Sequence, residues 1–98
     1  MEFVDLHGAS GRAYRFRAWP VTGAHPPIAG NFAIVRTRGR EVLEVGMLDN
    51  LAEALGLAAK HPSGVRLFTR LNVARAHREA EHADLAATYA TGSNTAAA

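Results

Sequence analysis

The residues able to do chemistry in this chain fall into short groups. Arg36, Arg38 and Arg40 alternate across Thr37 and Gly39. A guanidinium is planar, permanently charged and offers paired donors, so arginines carried on a β-ribbon can grip phosphate oxygens. Arg15 and Arg17 sit two positions apart and lead to Trp19, whose ring can stack on a base. The densest polar run is His77-Arg78-Glu79-Ala80-Glu81-His82. On a helix His77 and Glu81 are i, i+4 neighbours, as are Arg78 and His82, so two pairs of possible ligands point in different directions. The two histidines are five apart and occupy different faces, which excludes the HExxH zinc arrangement. Each group also has a plainer reading. The three turn arginines can be solvated edge protection, Trp19 beside Pro20 can cap a core, and the polar run can be salt bridges along a helix.

Composition narrows what these groups can serve. At 98 residues the chain has room for one core, and 48% hydrophobic against 20% charged residues is a globular balance. No apolar run approaches the roughly 18 residues of a membrane span, and the opening MEFVDLHG is acidic where a signal peptide is basic, so a cytoplasmic location is expected. The absence of cysteine excludes disulfides, thiolate metal sites and a cysteine nucleophile. Basic residues number 11 against 9 acidic, a net charge of +2, and Lys60 is the only lysine. That is a weak pull toward polyanions, since a protein that coats DNA concentrates far more positive charge.

The elements that must position these residues read as follows. Glu2 to Leu6 is a short apolar-rich run, Gly8 to Gly11 a turn, and Arg12 to Trp19 alternates with Tyr14, Phe16 and Ala18 on one face and Arg15, Arg17 and Trp19 on the other. Together they predict a hairpin. Pro20 to Gly30 is a loop rich in proline and glycine. Asn31 to Thr37 and Glu41 to Val45 predict a second hairpin around Arg38-Gly39-Arg40, with Leu43 and Val45 opposite Val42 and Glu44. Asp49 offers a cap for a helix over roughly residues 50–60, Val65 to Thr69 a strand, and Asn72 a cap for a long helix from Val73 to about Tyr89, stopped by Gly92. Alanines along that last helix allow close packing on the sheet or on a partner. One domain over residues 1–94, with a frayed tail at 95–98, is expected.

Local words in this order resemble the GIY-YIG endonuclease domain. They are Pro27-Ile28-Ala29-Gly30-Asn31-Phe32-Ala33-Ile34-Val35, then Val42-Leu43-Glu44-Val45-Gly46, then Asp49-Asn50-Leu51, and on the closing helix Arg75, Glu81, Leu85, Tyr89 and Asn94. The resemblance covers about residues 26 to 94 and leaves the first hairpin as an addition. It implies an α+β fold: a small central mixed sheet, the N-terminal hairpin plus a β-β-α-β-α core, covered by two helices. It also implies a pocket in which two tyrosines, an arginine and a glutamate surround a metal and a phosphate. Carried over by position, the tyrosines become Phe32 and Glu44 and the arginine becomes Ala54, while Gly46 and Glu81 remain.

Removing one group that stabilises transition-state charge costs on the order of 10² to 10³ in rate, so the loss of three leaves little to catalyse with. The expectation is a vestigial pocket of Phe32, Glu44, Gly46, Ala54 and Glu81, no catalytic residues, no cofactor and no resident metal. The expected function is nucleic-acid binding, duplex DNA in the first instance, through Arg15, Arg17, Arg36, Arg38 and Arg40. A rival from another class is a protein-interaction adaptor, homodimeric through an edge strand or the alanine-rich helix. A third is a weak nuclease in which Glu44 and Glu81 hold Mg²⁺.

Overall fold

A computed structural model of the chain describes residues 3–20, 27–61 and 63–89. Strands β1 (Phe3–His7) and β2 (Ala13–Ala18) form the first hairpin, in the register Phe3 opposite Arg17 and His7 opposite Ala13. Strands β3 (Gly30–Arg36) and β4 (Val42–Leu48) form the second. Their connection turns through Gly39 at φ 78° and Arg40 at φ 59°, two consecutive left-handed residues of which the first is the glycine that the conformation favours. A 3₁₀ turn (Leu51–Glu53) runs into the short helix α1 (Ala54–Ala58), strand β5 (Val65–Leu71) follows, and α2 (Arg75–Thr88) is the last helix described. The Pro20–Gly30 loop falls largely on residues 21–26, and Gly92, Asn94 and the tail also lie outside the described residues.

The strands order as β1-β2-β5-β3-β4 and every neighbouring pair is antiparallel. The α+β class with two helices is as expected, whereas the mixed sheet is not. β4 and β5 do run in the same direction, but the crossover through α1 carries the chain over β3, so the two parallel strands never become neighbours.

Each face of this sheet has its own core. On one side Leu6, Tyr14, Phe16, Ala33, Val35, Val45 and Phe68 pack under Leu85 of α2. On the other Phe32, Ile34 and Leu67 pack under Leu51 and Ala54, with Trp19 at the margin. The alternation within β2 places Tyr14 and Phe16 in the first core and Arg15 and Arg17 in solvent. β4 departs from simple alternation: Ile34 is opposite Glu44 but Val35 is opposite Val42, so Leu43 is an extra residue in the ladder. Val42 and Val45 therefore face the same core although they are three apart, which corrects the phase expected for this strand.

Two helix starts also differ from expectation. Asn50, not Asp49, caps the first turn, its side-chain oxygen accepting from the Ala52 N–H at 2.9 Å. α2 begins after Ala74 with no side-chain cap, because Asn72 is engaged elsewhere.

In the β3–β4 ladder Phe32 lies opposite Gly46, and its ring covers the glycine so closely that a methyl there would run into it. The ring fills the space that a side chain on β4 would otherwise take. Gly46→Ala is expected to cost about 1–3 kcal/mol by overpacking. In urea unfolding the Phe32→Leu/Gly46→Ala double variant should lose less than the sum of the two single changes, since the smaller side chain makes room.

Candidate nucleic-acid interface

The two helices do not cover the sheet evenly. α2 lies over one face, and α1 covers only the β5-β3-β4 part of the other, so the outward side of the first hairpin is open: Phe3, Asp5, His7, Ala13, Arg15 and Arg17 are all exposed. Arg15 is held in place on this face. Its guanidinium makes a two-pronged pair with Asp5, at 2.9 and 3.0 Å, and sits 3.8 Å from the centre of the Phe3 ring. The hydrogen bond from Arg15 holds the Asp5 carboxyl below its ordinary value. Arg17, next along the same face, has no ion-pair partner among the described residues.

Beside these arginines the sheet parts. β2 and β5 pair only at Arg17–Thr69 and Ala18–Phe68, with one further bond from the Trp19 N–H to the Leu67 carbonyl at 2.9 Å. Beyond Arg17 the strands diverge, and the Arg70 guanidinium enters the gap. Its Nε donates to Glu81 at 2.8 Å and its Nη1 reaches the Arg15 carbonyl at 3.5 Å, the long limit of a hydrogen bond. The divergence opens a cleft of about 470 Å³ lined by Arg15, Arg17, Trp19, Pro20, Thr69 and Leu71 among others. That volume is in the range of small-ligand clefts, roughly 300–1,000 Å³.

The structure thus brings Arg15, Arg17 and Trp19 together and adds Leu71 and Thr69, which the sequence reading did not single out. The signal was present: Val65, Leu67 and Thr69 share a parity that Leu71 continues, so a strand two residues longer puts it on the same face. Nothing in the sequence marks Arg70 as the residue that fills the gap.

Arg36, Arg38 and Arg40 form a separate exposed group at the β3–β4 turn, where Arg36 pairs with Glu41 at 3.3 Å. Arg17 is opposite Thr69, Thr69 is opposite Phe32, and Arg36 lies four residues along β3 on the same face. Strand geometry puts the two backbones roughly 16 Å apart.

The pocket implied by the GIY-YIG resemblance is not assembled. Phe32 and Ala54 are both buried in the α1-side core, Phe32 against Gly46, so neither lines an opening. Glu44 is on that same side of β4, its Oε1 2.9 Å from His61 Nε2. Glu81 is across the sheet. It projects from α2, and its Oε1 accepts from Arg70 Nε at 2.8 Å and from Asn72 Nδ2 at 3.0 Å. Because Glu44 and Glu81 lie on opposite faces, they cannot share one Mg²⁺ or form a like-charge pair. Among the described residues no group of three His, Cys, Asp or Glu is placed to hold a metal.

Glu81 instead belongs to a polar clamp under α2. Asn31, 1% exposed, donates from Nδ2 to the Arg78 carbonyl at 3.1 Å and accepts from Asn72 Nδ2 at 3.0 Å. Arg78, 6% exposed, donates to the carbonyls of Asn72 and Val73 and to Asp49. Further along α2, Asp84 accepts from the Ser10 N–H, the Ser10 hydroxyl and the Tyr14 hydroxyl, at 2.8, 2.7 and 2.8 Å. The Ser10 bonds and then the Tyr14 bond hold the Asp84 carboxyl below its ordinary value, while burial and then Asp84 push the Tyr14 phenol up. His82 is pushed down by burial, and its Nδ1 is enclosed without a hydrogen-bond partner among the described residues.

Compared with protein-family models, characterised proteins and solved structures, the chain matches none. No helix among the described residues is long and apolar enough to cross a membrane.

Glu81→Ala is expected to lower stability by about 1.5–3 kcal/mol, because it strips a half-buried guanidinium of its charged partner. Thermal melts should show this loss with and without Mg²⁺, and a rise in wild-type Tm on adding Mg²⁺ that the variant lacks would restore a metal role. His82 has a lower pKa folded than unfolded, so the unfolded chain takes up the proton first. Its contribution to stability is therefore complete above 6.5 and is lost as pH falls from 6.5 through the folded value. Replacing it in His82→Gln should flatten the fall in Tm over that interval.

Proposed function

We propose that this protein binds nucleic acid through the open half of its sheet, with Arg15 and Arg17 on backbone phosphates. The observation that carries this reading is the exposed hairpin face, where a pre-oriented arginine and one with no ion-pair partner among the described residues stand beside a cleft walled by Trp19. Arg15 is fixed by Asp5 and Phe3 before any ligand arrives, which reduces the ordering cost of binding. Arg36, Arg38 and Arg40 extend the same footprint. A separation of roughly 16 Å corresponds to about five steps of a nucleic-acid strand at roughly 3.4 Å per step.

The sequence words that residues 26–94 share with GIY-YIG domains favour the same class of partner, although the antiparallel sheet and the separation of Glu81 from Phe32, Glu44 and Ala54 do not reproduce that domain's pocket. The burial of Phe32 and Ala54 and the engagement of Glu81 with Arg70 support binding without cleavage. A protein partner is the second reading, favoured by the exposure of Leu71 and Val73 next to the cleft.

Fluorescence anisotropy with labelled DNA at about 50 and 200 mM salt separates them, since a phosphate binder weakens steeply over that interval and an apolar interface changes little. Arg17→Ala should weaken binding and reduce the salt slope by about 1. Arg38→Ala should have the smaller effect, and the reverse ranking would move the footprint to the turn. No binding at the lower salt would leave the protein-partner reading.

A further inference from the structure

We infer that the cleft between β2 and β5 receives one unpaired base, so that the protein selects single-stranded over duplex nucleic acid, an inference that rests on the nucleic-acid reading above. Phosphates alone need only positive charge at a surface, and Arg15, Arg17 and the turn arginines supply it without any concavity. The cleft adds something a duplex backbone cannot use. Trp19, Pro20 and Leu71 make apolar walls, Leu71 being 56% exposed, and the buried Thr69 also lines the cleft. A base in a duplex is already stacked on both sides and reaches these walls only after unpairing, whereas a single strand presents its bases ready to stack.

The placement of charge fits the same occupant. Arg15 and Arg17 project from β2 on the side where the cleft opens, so phosphates on either side of a seated base meet guanidinium groups. Arg70 also lines the gap and bridges it, bonded to Glu81 of α2 and to the Arg15 carbonyl of β2. The carboxylate closest to the arginines on this face is Asp5, and it is already committed to Arg15 in a two-pronged pair. A cleft with apolar walls and a cationic rim suits a planar heterocycle carried on an anionic chain.

Trp19 is the only tryptophan in the chain, so its emission reports on the cleft alone. The test titrates the full chain with three probes: an oligothymidylate of about ten nucleotides, the same length of fully abasic strand, and the matching duplex. Anisotropy and Trp19 emission are followed together. The oligothymidylate is expected to quench Trp19 and to bind about tenfold more tightly than either other probe. Leu71→Glu, at an exposed position, should remove that tenfold preference while leaving the far-UV circular dichroism unchanged, and Trp19→Leu should do the same if it folds.

Equal affinity for all three probes, with no change in Trp19 emission, would overturn the base-seating inference and leave phosphate binding standing. Failure of every probe to bind at low salt would overturn both, and would assign the cleft to an apolar side chain of a protein partner.

Discussion

The amide of Asn31 is the point from which the rest of the arrangement is fixed. It is enclosed on the α2 side of β3, so its donor and acceptor must be satisfied within the protein, and α2 and the segment before it do so. That requirement brings the Arg78 carbonyl down onto the sheet and turns Asn72, just past the end of β5, toward β3. Asn72 in turn shares the Glu81 carboxylate with Arg70, and Arg70 is thereby directed into the space between β2 and β5. A polar group buried in a core with no freedom to stay unpaired is thus linked both to the seat of a helix and, through three successive hydrogen bonds, to the place where the sheet opens.

The same chain of bonds explains why Glu81 stands out in the sequence and yet makes no pocket with Phe32, Glu44 and Ala54. A carboxylate on a late helix looks the same in a sequence whichever face of the sheet the helix covers. Here β3 carries Phe32 and Ile34 to one side and Asn31, Ala33 and Val35 to the other, and α2 packs on the second set. One residue of alternation separates a metal-binding arrangement from a structural clamp. What looked like the remnant of a reactive site is a device that holds a guanidinium.

Much of the architecture was legible where periodicity is strong. The hairpin face bearing Arg15, Arg17 and Trp19, the turn at Gly39 and the existence of the five strands follow from alternation and turn chemistry, whereas β4 runs on to Leu48 and β5 to Leu71, beyond the ends that pattern gives them. The failures share a cause: they depend on contacts between distant parts of the chain. The extra residue at Leu43 is a property of the β3–β4 ladder, and neither strand shows it alone. Asn72 has the composition of a helix cap but is taken by Asn31 and Glu81, which are far from it in sequence. The insertion of β3 between β4 and β5 is a matter of strand order, to which local pattern is blind.

The short ladder between β2 and β5 divides the sheet into two parts. β5, β3 and β4 pair along most of their lengths. The N-terminal ribbon is bonded to β5 by a few rungs near Trp19 and to Asp84 of α2 through Ser10 and Tyr14, while Leu6, Tyr14 and Phe16 on its inner face belong to the α2-side core. Both walls of the cleft are therefore anchored in one core, although few backbone bonds join them. Because Leu6, Tyr14 and Phe16 are locked into the same core as Val35, Val45 and Phe68, the ribbon cannot shift without disturbing that core, and the width of the cleft is set before any guest arrives.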